Sequence, residues 1–154
     1  MSFGRILIAN RGEIAIRIAR AVRDLGIESV AVYSDDDSDS LHVMSADSSY
    51  RLEGAGVAAY LDGQGVVDAA KETGCDAVHP GYGFLSENAE FSRLCSENGI
   101  TFIGPDVDHL ELFGDKCRAR KAAIDAGVPV LRGIDRAITP VSYTHLTLPT
   151  ISSV

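Results

Sequence analysis

Short apolar segments alternate with helix-like segments along most of this 154-residue chain, and this alternation constrains the fold more than any other feature. The apolar segments predict five strands, at residues 5–9, 29–33, 49–52, 76–78 and 101–103. Strands separated by helices at this spacing form right-handed βαβ units and pair in parallel. The pattern therefore predicts an α/β domain with a Rossmann-like open parallel sheet of about five strands, flanked by helices on both faces.

Helical periodicity and glycine stops define the connecting segments. Helices are predicted at residues 13–25, 41–46, 66–73, 87–98, 116–126 and in a segment that Asp106 caps and that ends at residue 113. In the first helix Ile14, Ile18, Val22 and Leu25 share one face, which we expect to be buried. Residues 54–65 are interpreted as a glycine-rich connection, and residues 34–37 as an acidic surface loop.

Charge and cysteine spacing exclude several classes of protein. The net charge of −8, from 22 acidic and 14 basic residues, disfavours non-specific binding to nucleic acid or anionic membranes. Cys75, Cys95 and Cys117 lack the spacing of a zinc site, and their odd number suits a reducing, cytoplasmic location. No segment approaches the roughly 20 apolar residues of a membrane span. We predict no metal site and no membrane partner.

The turn after the first strand, Asn10-Arg11-Gly12, is where dinucleotide-binding domains hold pyrophosphate. Those domains use G-x-G-x-x-G, and only Gly12 is present here, so a nicotinamide site is disfavoured. Asp35 follows the second strand, where dinucleotide-binding domains place an acid that binds the ribose. Without the glycines, Asp35 is weak support for such a site. For Arg11 and Glu13, packing and ligand contact both remain open.

The sequence HPGYGFLSEN, residues 79–88, follows the fourth strand and is here called the 79–88 loop. Ligands of open α/β sheets bind at the carboxyl ends of the strands, and Ser86 or Glu87 can begin the next helix there. The free N–H groups of that helix would attract anions. His79 is interpreted as a hydrogen-bonded turn residue, with a catalytic base as the alternative. Glu87 is interpreted as a helix cap rather than an acid or base.

Four ordered motifs, IANRGEIA, HPGYGFLSEN, FIGP and GDK, resemble those of the biotin carboxylase family, ATP-dependent ligases that carboxylate biotin with bicarbonate. The resemblance covers residues 4–133. It implies a biotin carboxylase N-terminal (pre-ATP-grasp) domain at residues 1–133 and the start of a linker to an ATP-grasp domain at 134–140. Residues 141–154 lack Asp, Glu, Lys and Arg and continue no pattern, so we interpret them as a non-native tail.

The resemblance also implies roles for individual residues. Lys116, in GDK, matches a lysine that contacts the ATP phosphates, and its charge suits that contact. Tyr82 and Gly83 match positions that line the biotin and phosphate region. Arg17 and Arg20 match positions in the family's dimer interface, although a solvated helix face is an equal alternative. No catalytic residue or metal ligand of the family falls within this chain.

The implied cofactors are ATP, biotin on a carrier protein, and magnesium, whose ligands lie in the part of the enzyme beyond this chain. The implied partners are a biotin carboxyl carrier protein or domain, a carboxyltransferase, and a second copy bound through the first helix. Acetyl-CoA carboxylase of fatty acid biosynthesis and the propionyl-CoA, methylcrotonyl-CoA, pyruvate and urea carboxylases all share this domain. Alone, the chain is expected to be inactive. The alternative is a non-catalytic nucleotide-binding or dimerisation module of the same fold.

Overall fold

The computed structural model describes residues 3–131. The predicted linker start at 134–140 and the predicted tail at 141–154 lie outside the described residues. The chain divides after Glu111 into two compact units. The first unit contains the sheet, and the second contains the last helix. No helix of residues 3–131 has the length and apolar character needed to cross a membrane.

All strands of the described sheet are parallel, as the sequence predicts. The strands are β1 (Arg5–Ile8), β2 (Glu28–Tyr33), β3 (Ser48–Arg51), β4 (Ala77–His79) and β5 (Thr101–Phe102). Their spatial order is β3-β2-β1-β4-β5. Strands β2 and β3 therefore lie on one side of β1, and β4 and β5 lie on the other side. This reversal between β1 and β4 is the switch point at which open α/β sheets bind ligands.

Helices connect the strands and cover the sheet. They are α1 (Gly12–Asp24), α2 (Leu41–Ser45), α3 (Gly56–Leu61), α4 (Gly63–Glu72), α5 (Ala89–Glu97), α6 (Val107–Gly114) and α7 (Lys116–Asp125). One turn of 3₁₀ helix, Asp35–Asp37, follows β2 and is called the acidic turn here. Asp106 accepts a hydrogen bond from the His109 backbone N–H at 2.9 Å, which confirms its predicted role at the start of α6.

The core lies on both faces of the sheet because successive residues of a strand point to opposite sides. Ile6 and Ile8 of β1 pack with the buried face of α1, whereas Leu7 and Ala9 pack on the opposite side with α4 and α5. The same strand thus supplies both cores. This arrangement confirms the predicted coverage of both faces by helices.

Three sequence expectations about local structure are wrong. Leu25 is 74% exposed instead of continuing the buried face of α1, because α1 ends at Asp24. The 54–65 connection contains α3, whose Ala59 and Tyr60 are buried in the core. Helix α5 begins at Ala89 and not at Ser86 or Glu87.

The cap of α5 is Asn88. Its side-chain oxygen accepts a hydrogen bond from the Phe91 backbone N–H at 3.0 Å. Asparagine is among the best residues at this position, which explains why the helix starts after Asn88. The predicted capping role of Glu87 is therefore wrong as well.

Candidate functional site

The turn after β1 meets the 79–88 loop at the switch point of the sheet. The Ala9 backbone N–H donates to the His79 carbonyl oxygen at 2.9 Å, which joins the ends of β1 and β4. Both segments therefore start from a fixed position at the carboxyl edge of the sheet. This edge is where the sequence predicts a ligand site.

Asn10 fills the crevice between these two segments. Its side-chain Nδ2 donates to the Pro80 carbonyl oxygen at 2.8 Å and to the Tyr82 carbonyl oxygen at 2.9 Å. Its Oδ1 accepts from the Arg11 backbone N–H at 2.9 Å. The residue is only 2% exposed. Asn10 therefore ties the 79–88 loop to the turn after β1.

Gly81 brings the loop against Asn10. A Cβ atom at this position would lie 2.7 Å from the Asn10 Nδ2 and 2.9 Å from a methyl carbon of Ile14, with φ at +69°. Both the close approach and the left-handed backbone therefore require glycine. Sequence analysis identified the loop but missed Asn10 as its anchor. The only local signal was an amide residue directly after a buried strand.

Aromatic stacking holds the other side of the loop. The Phe84 ring stacks on the Tyr60 ring with centroids 5.6 Å apart and planes 21° apart. The Arg11 guanidinium carbon lies 5.6 Å from the Tyr60 centroid and 6.0 Å from that of Phe84. Its Nη1 is also 3.2 Å from Asp37 Oδ2. Arg11 therefore has a packing role, one of the two alternatives left open by the sequence.

The acidic turn takes part in this arrangement through Asp37. The Tyr60 hydroxyl donates to Asp37 Oδ2 at 2.8 Å. Burial, together with this bond to the carboxylate, raises the pKa of Tyr60 to about 12. Burial alone would raise the pKa of Asp37, but hydrogen bonds from Tyr60, Arg11 and Ser40 hold it below its ordinary value. Asp37 is thus a partly exposed anchor at the end of the acidic turn, whose Asp35 and Asp36 are exposed as expected for a surface loop.

The outward surface of the loop carries the two predicted ligand positions. Tyr82 is 79% exposed. Gly83 has φ of +68° and open space where a Cβ atom would be. The loop therefore fixes the backbone on its inner side while leaving these two residues accessible.

His79 has the role of a turn residue. Its Nδ1 accepts a hydrogen bond from the Gly81 backbone N–H at 3.0 Å. Burial lowers the pKa of His79, so the neutral ring required by this bond is favoured. The structure supports the hydrogen-bonded turn interpretation given to this residue.

The exposed face of α1 carries Arg17, Arg20 and Asp24, as the sequence predicts. Arg17 lies 3.5 Å from Glu13 one turn earlier, and both side chains are more than two-thirds exposed. An ion pair of this kind contributes little to stability. The face is therefore accessible, and the dimer role of Arg17 and Arg20 stays a prediction.

Lys116 lies in the second unit, so the structure does not bring it together with Tyr82 and Gly83 in one compact unit. It is exposed and is the first residue of α7. Asp115 caps this helix: its Oδ1 accepts from the backbone N–H groups of Cys117 at 2.8 Å and Arg118 at 3.0 Å. These two N–H groups are therefore used by the cap, and the ATP contact of Lys116 stays a prediction for its side chain.

The described residues offer no resident metal site. Within residues 3–131, no group of three or more His, Cys, Asp or Glu side chains is placed to hold a metal ion.

A parallel sheet in the order β3-β2-β1-β4-β5, covered by helices on both faces, defines an open α/β domain of the doubly wound class. The family model for the biotin carboxylase N-terminal domain matches residues 2–110. The chain belongs to this family, and the predicted resemblance is confirmed.

Relatives and solved structures agree with this assignment. The chain is 56% identical over 137 residues to a pyruvate carboxylase of Bacillus subtilis, covering 87% of this chain and 12% of that protein. It matches the biotin carboxylase domain of a single-chain bacterial carboxylase with a TM-score of 0.87 and 56% identity, covering 92% of this chain and 33% of that one.

A third match is the biotin carboxylase domain dimer of the Hydrogenobacter thermophilus 2-oxoglutarate carboxylase, solved with MgADP, ADP and bicarbonate. The TM-score is 0.89 at 46% identity, and the match covers 94% of this chain and 32% of that chain. The chain thus spans a third or less of these proteins and corresponds to part of a biotin carboxylase.

Proposed function

We propose that the protein to which this chain belongs carboxylates biotin, using ATP and bicarbonate. The observation that carries the proposal is the locked 79–88 loop, which presents Tyr82 and Gly83 at the carboxyl edge of the sheet. Family membership supports the reaction class. The bicarbonate and MgADP in the Hydrogenobacter relative support the choice of substrates.

The described residues fit a part of this task. Tyr82 and Gly83 are accessible and would contact biotin or phosphate. Lys116 would bind ATP phosphates through its side chain alone; within residues 3–131 its ammonium group makes no ion pair. Bound ATP would supply the phosphoryl group that activates bicarbonate. Magnesium would be held by residues outside 3–131, since none here are suitably grouped.

The proposed partners follow from the same family. A biotin carboxyl carrier protein or domain would deliver biotin, and a carboxyltransferase would use carboxybiotin. A second copy would bind the exposed face of α1 through Arg17 and Arg20, a proposal supported by the dimer that the Hydrogenobacter domain forms. We propose a cytoplasmic location from the cysteine pattern.

The final acceptor is proposed to be chosen outside this segment. Pyruvate carboxylase and 2-oxoglutarate carboxylase act on different acceptors, yet both match this chain across most of its length. An acetyl-CoA carboxylase of fatty acid biosynthesis remains one candidate parent among several.

A chimera tests the proposal. The matched segment of Bacillus subtilis pyruvate carboxylase is replaced by residues 3–131 of this chain, and bicarbonate-dependent ADP release is measured with and without free biotin. We expect activity within about tenfold of the unmodified relative, because the two segments are 56% identical. A folded chimera without biotin-stimulated ADP release would contradict the proposal. Tight ATP binding by the 154-residue chain alone would instead favour a stand-alone nucleotide-binding module.

A further inference from the structure

We propose that Asn10 is a positioning residue for biotin, acting through the 79–88 loop. The inference rests on the proposed function, because that function assigns biotin contact to Tyr82 and Gly83. Asn10 itself cannot touch a ligand, since it is 2% exposed and lies beneath the loop. Its effect must therefore pass through the backbone that it holds.

Both polar atoms of the Asn10 side chain form hydrogen bonds within the protein. Nδ2 donates to two loop carbonyl oxygens, and Oδ1 accepts from the Arg11 backbone N–H. Because two carbonyl oxygens face one atom of the amide, only an N–H donor satisfies that side. No other ordinary side chain of this size offers two donors and one acceptor in the same plane.

The loop needs such an anchor because its backbone is unusual. Gly81, Gly83 and Phe84 have φ values of +69°, +68° and +46°. A left-handed conformation at a residue such as Phe84 persists only where surrounding contacts hold it. Asn10 holds the backbone at Pro80 and Tyr82 from below, and the Tyr60 ring holds Phe84 from the other side.

The bond to the Tyr82 carbonyl is the specific link to the ligand. It fixes the peptide plane between Tyr82 and Gly83, at 2.9 Å from the Asn10 Nδ2. The direction of the Gly83 N–H belongs to that same peptide plane. Asn10 thereby sets where the Gly83 N–H points before biotin arrives. Preorganisation of this kind raises affinity without any direct contact.

Two variants of the chimera test the role. Asn10→Asp keeps the shape but replaces both donors with a carboxylate oxygen that faces two carbonyl groups. Asn10→Ser is milder and cannot span both carbonyl oxygens. We expect the KM for free biotin to rise by about tenfold or more in either variant. The KM for ATP should stay within about a factor of two, because the Asn10 amide bonds the 79–88 loop and the Arg11 backbone, whereas ATP is proposed to bind through Lys116.

Ser29→Ala is the matched control. Ser29 is also fully buried, and its hydroxyl donates to Asp47 at 2.7 Å and accepts from the Asp47 backbone N–H at 3.1 Å. It lies near the amino end of β2, whereas the 79–88 loop lies at the carboxyl ends of the parallel strands. This variant should lower the melting temperature and leave the biotin KM unchanged. An equal rise of the biotin KM in Ser29→Ala would overturn the positioning role, as would an unchanged biotin KM in a folded Asn10 variant.

Hydrogen exchange separates this proposal from the proposed function. In the 154-residue chain, the Ser86 N–H donates to the Gly83 carbonyl oxygen at 2.9 Å and reports loop order. Asn10→Ser should accelerate its exchange by about tenfold relative to Ser29→Ala. If the unmutated chimera is inactive, the reaction assignment fails while this measurement still decides whether Asn10 orders the loop. Equal exchange in the two variants would refute the ordering role.

Discussion

The 79–88 loop and the start of α7 carry the two predicted ligand contacts, and they are built in opposite ways. The loop is held by a buried amide below and by an aromatic stack beside it. Lys116 stands exposed on the first turn of a helix whose buried contacts are few. The positions predicted to contact a ligand through the loop thus have rigid support, whereas the predicted lysine contact lies on a helix without buried residues. Substitutions in the loop should therefore affect folding and binding together, and Lys116 substitutions should affect binding alone.

The largest effect is expected from Gly81→Ala. The new Cβ would meet Asn10 at 2.7 Å and Ile14 at 2.9 Å at a left-handed φ of +69°. Strain and overpacking together should lower the free energy of unfolding by about 3 kcal/mol, measured by urea denaturation. Gly83→Ala is the control, with a similar φ but open space, and should cost about 1 kcal/mol. Equal losses at the two positions would show that the approach to Asn10 does not matter.

Lys116→Gln tests the opposite side of the comparison. In the chimera it should raise the KM for ATP by about tenfold, or roughly 1.4 kcal/mol of binding free energy. The free energy of unfolding should stay within about 0.5 kcal/mol, because an exposed side chain is replaced by one of similar length. Lys121→Gln, at an exposed lysine of the same helix, serves as a control for loss of a surface charge. An unchanged ATP KM with normal melting would make Lys116 an ordinary exposed lysine.

Asp115→Ala removes the cap of α7. Because Asp115 accepts two backbone N–H bonds, its loss should destabilise the helix by about 1 kcal/mol. Hydrogen exchange of the α7 amides should accelerate about fivefold, since 1 kcal/mol corresponds to that factor. Asp115→Asn keeps an acceptor oxygen and should restore most of the protection. Exchange that is unaffected by Asp115→Ala would mean that the cap does not stabilise α7.

The smallest effect is a pH dependence that comes from His79. Burial lowers its pKa in the folded protein, and the unfolded chain regains the ordinary value near 6.5. Below that pH the unfolded chain binds more protons than the folded one, so the free energy of unfolding falls as the pH falls. His79→Asn keeps an acceptor for the Gly81 N–H and should flatten this part of the stability curve. His109→Gln, at an exposed site, is the control and should leave the His79 part of the pH dependence of the free energy of unfolding unchanged.

The sheet and most helices could be predicted from sequence because apolar periodicity is a local signal. The strand positions were correct to within one residue at each end, and the 79–88 loop was placed at the correct edge. The Asn10 anchor and the Arg11 stack could not be found in this way, since their partners are distant in the chain. Helix α3 was missed because glycines and short side chains concealed its two buried residues. The cap at Asp115 is a local signal, since aspartate directly before a helical segment is a common N-cap.

The long sequence separation between Asn10 and its loop partners also affects the order of folding. Asn10 reaches partners 70 and 72 positions later, whereas β1, α1 and β2 are consecutive. Closing a long chain segment is slow compared with pairing neighbouring elements. We expect β1 and β2 to pair while the Asn10 amide is still hydrated, and the loop to acquire its shape only after β4 docks beside β1. Asn10→Ser should then accelerate unfolding with little change in the folding rate, giving a Φ-value near zero. A ribosome must release the chain well beyond Tyr82 before the ligand surface can exist.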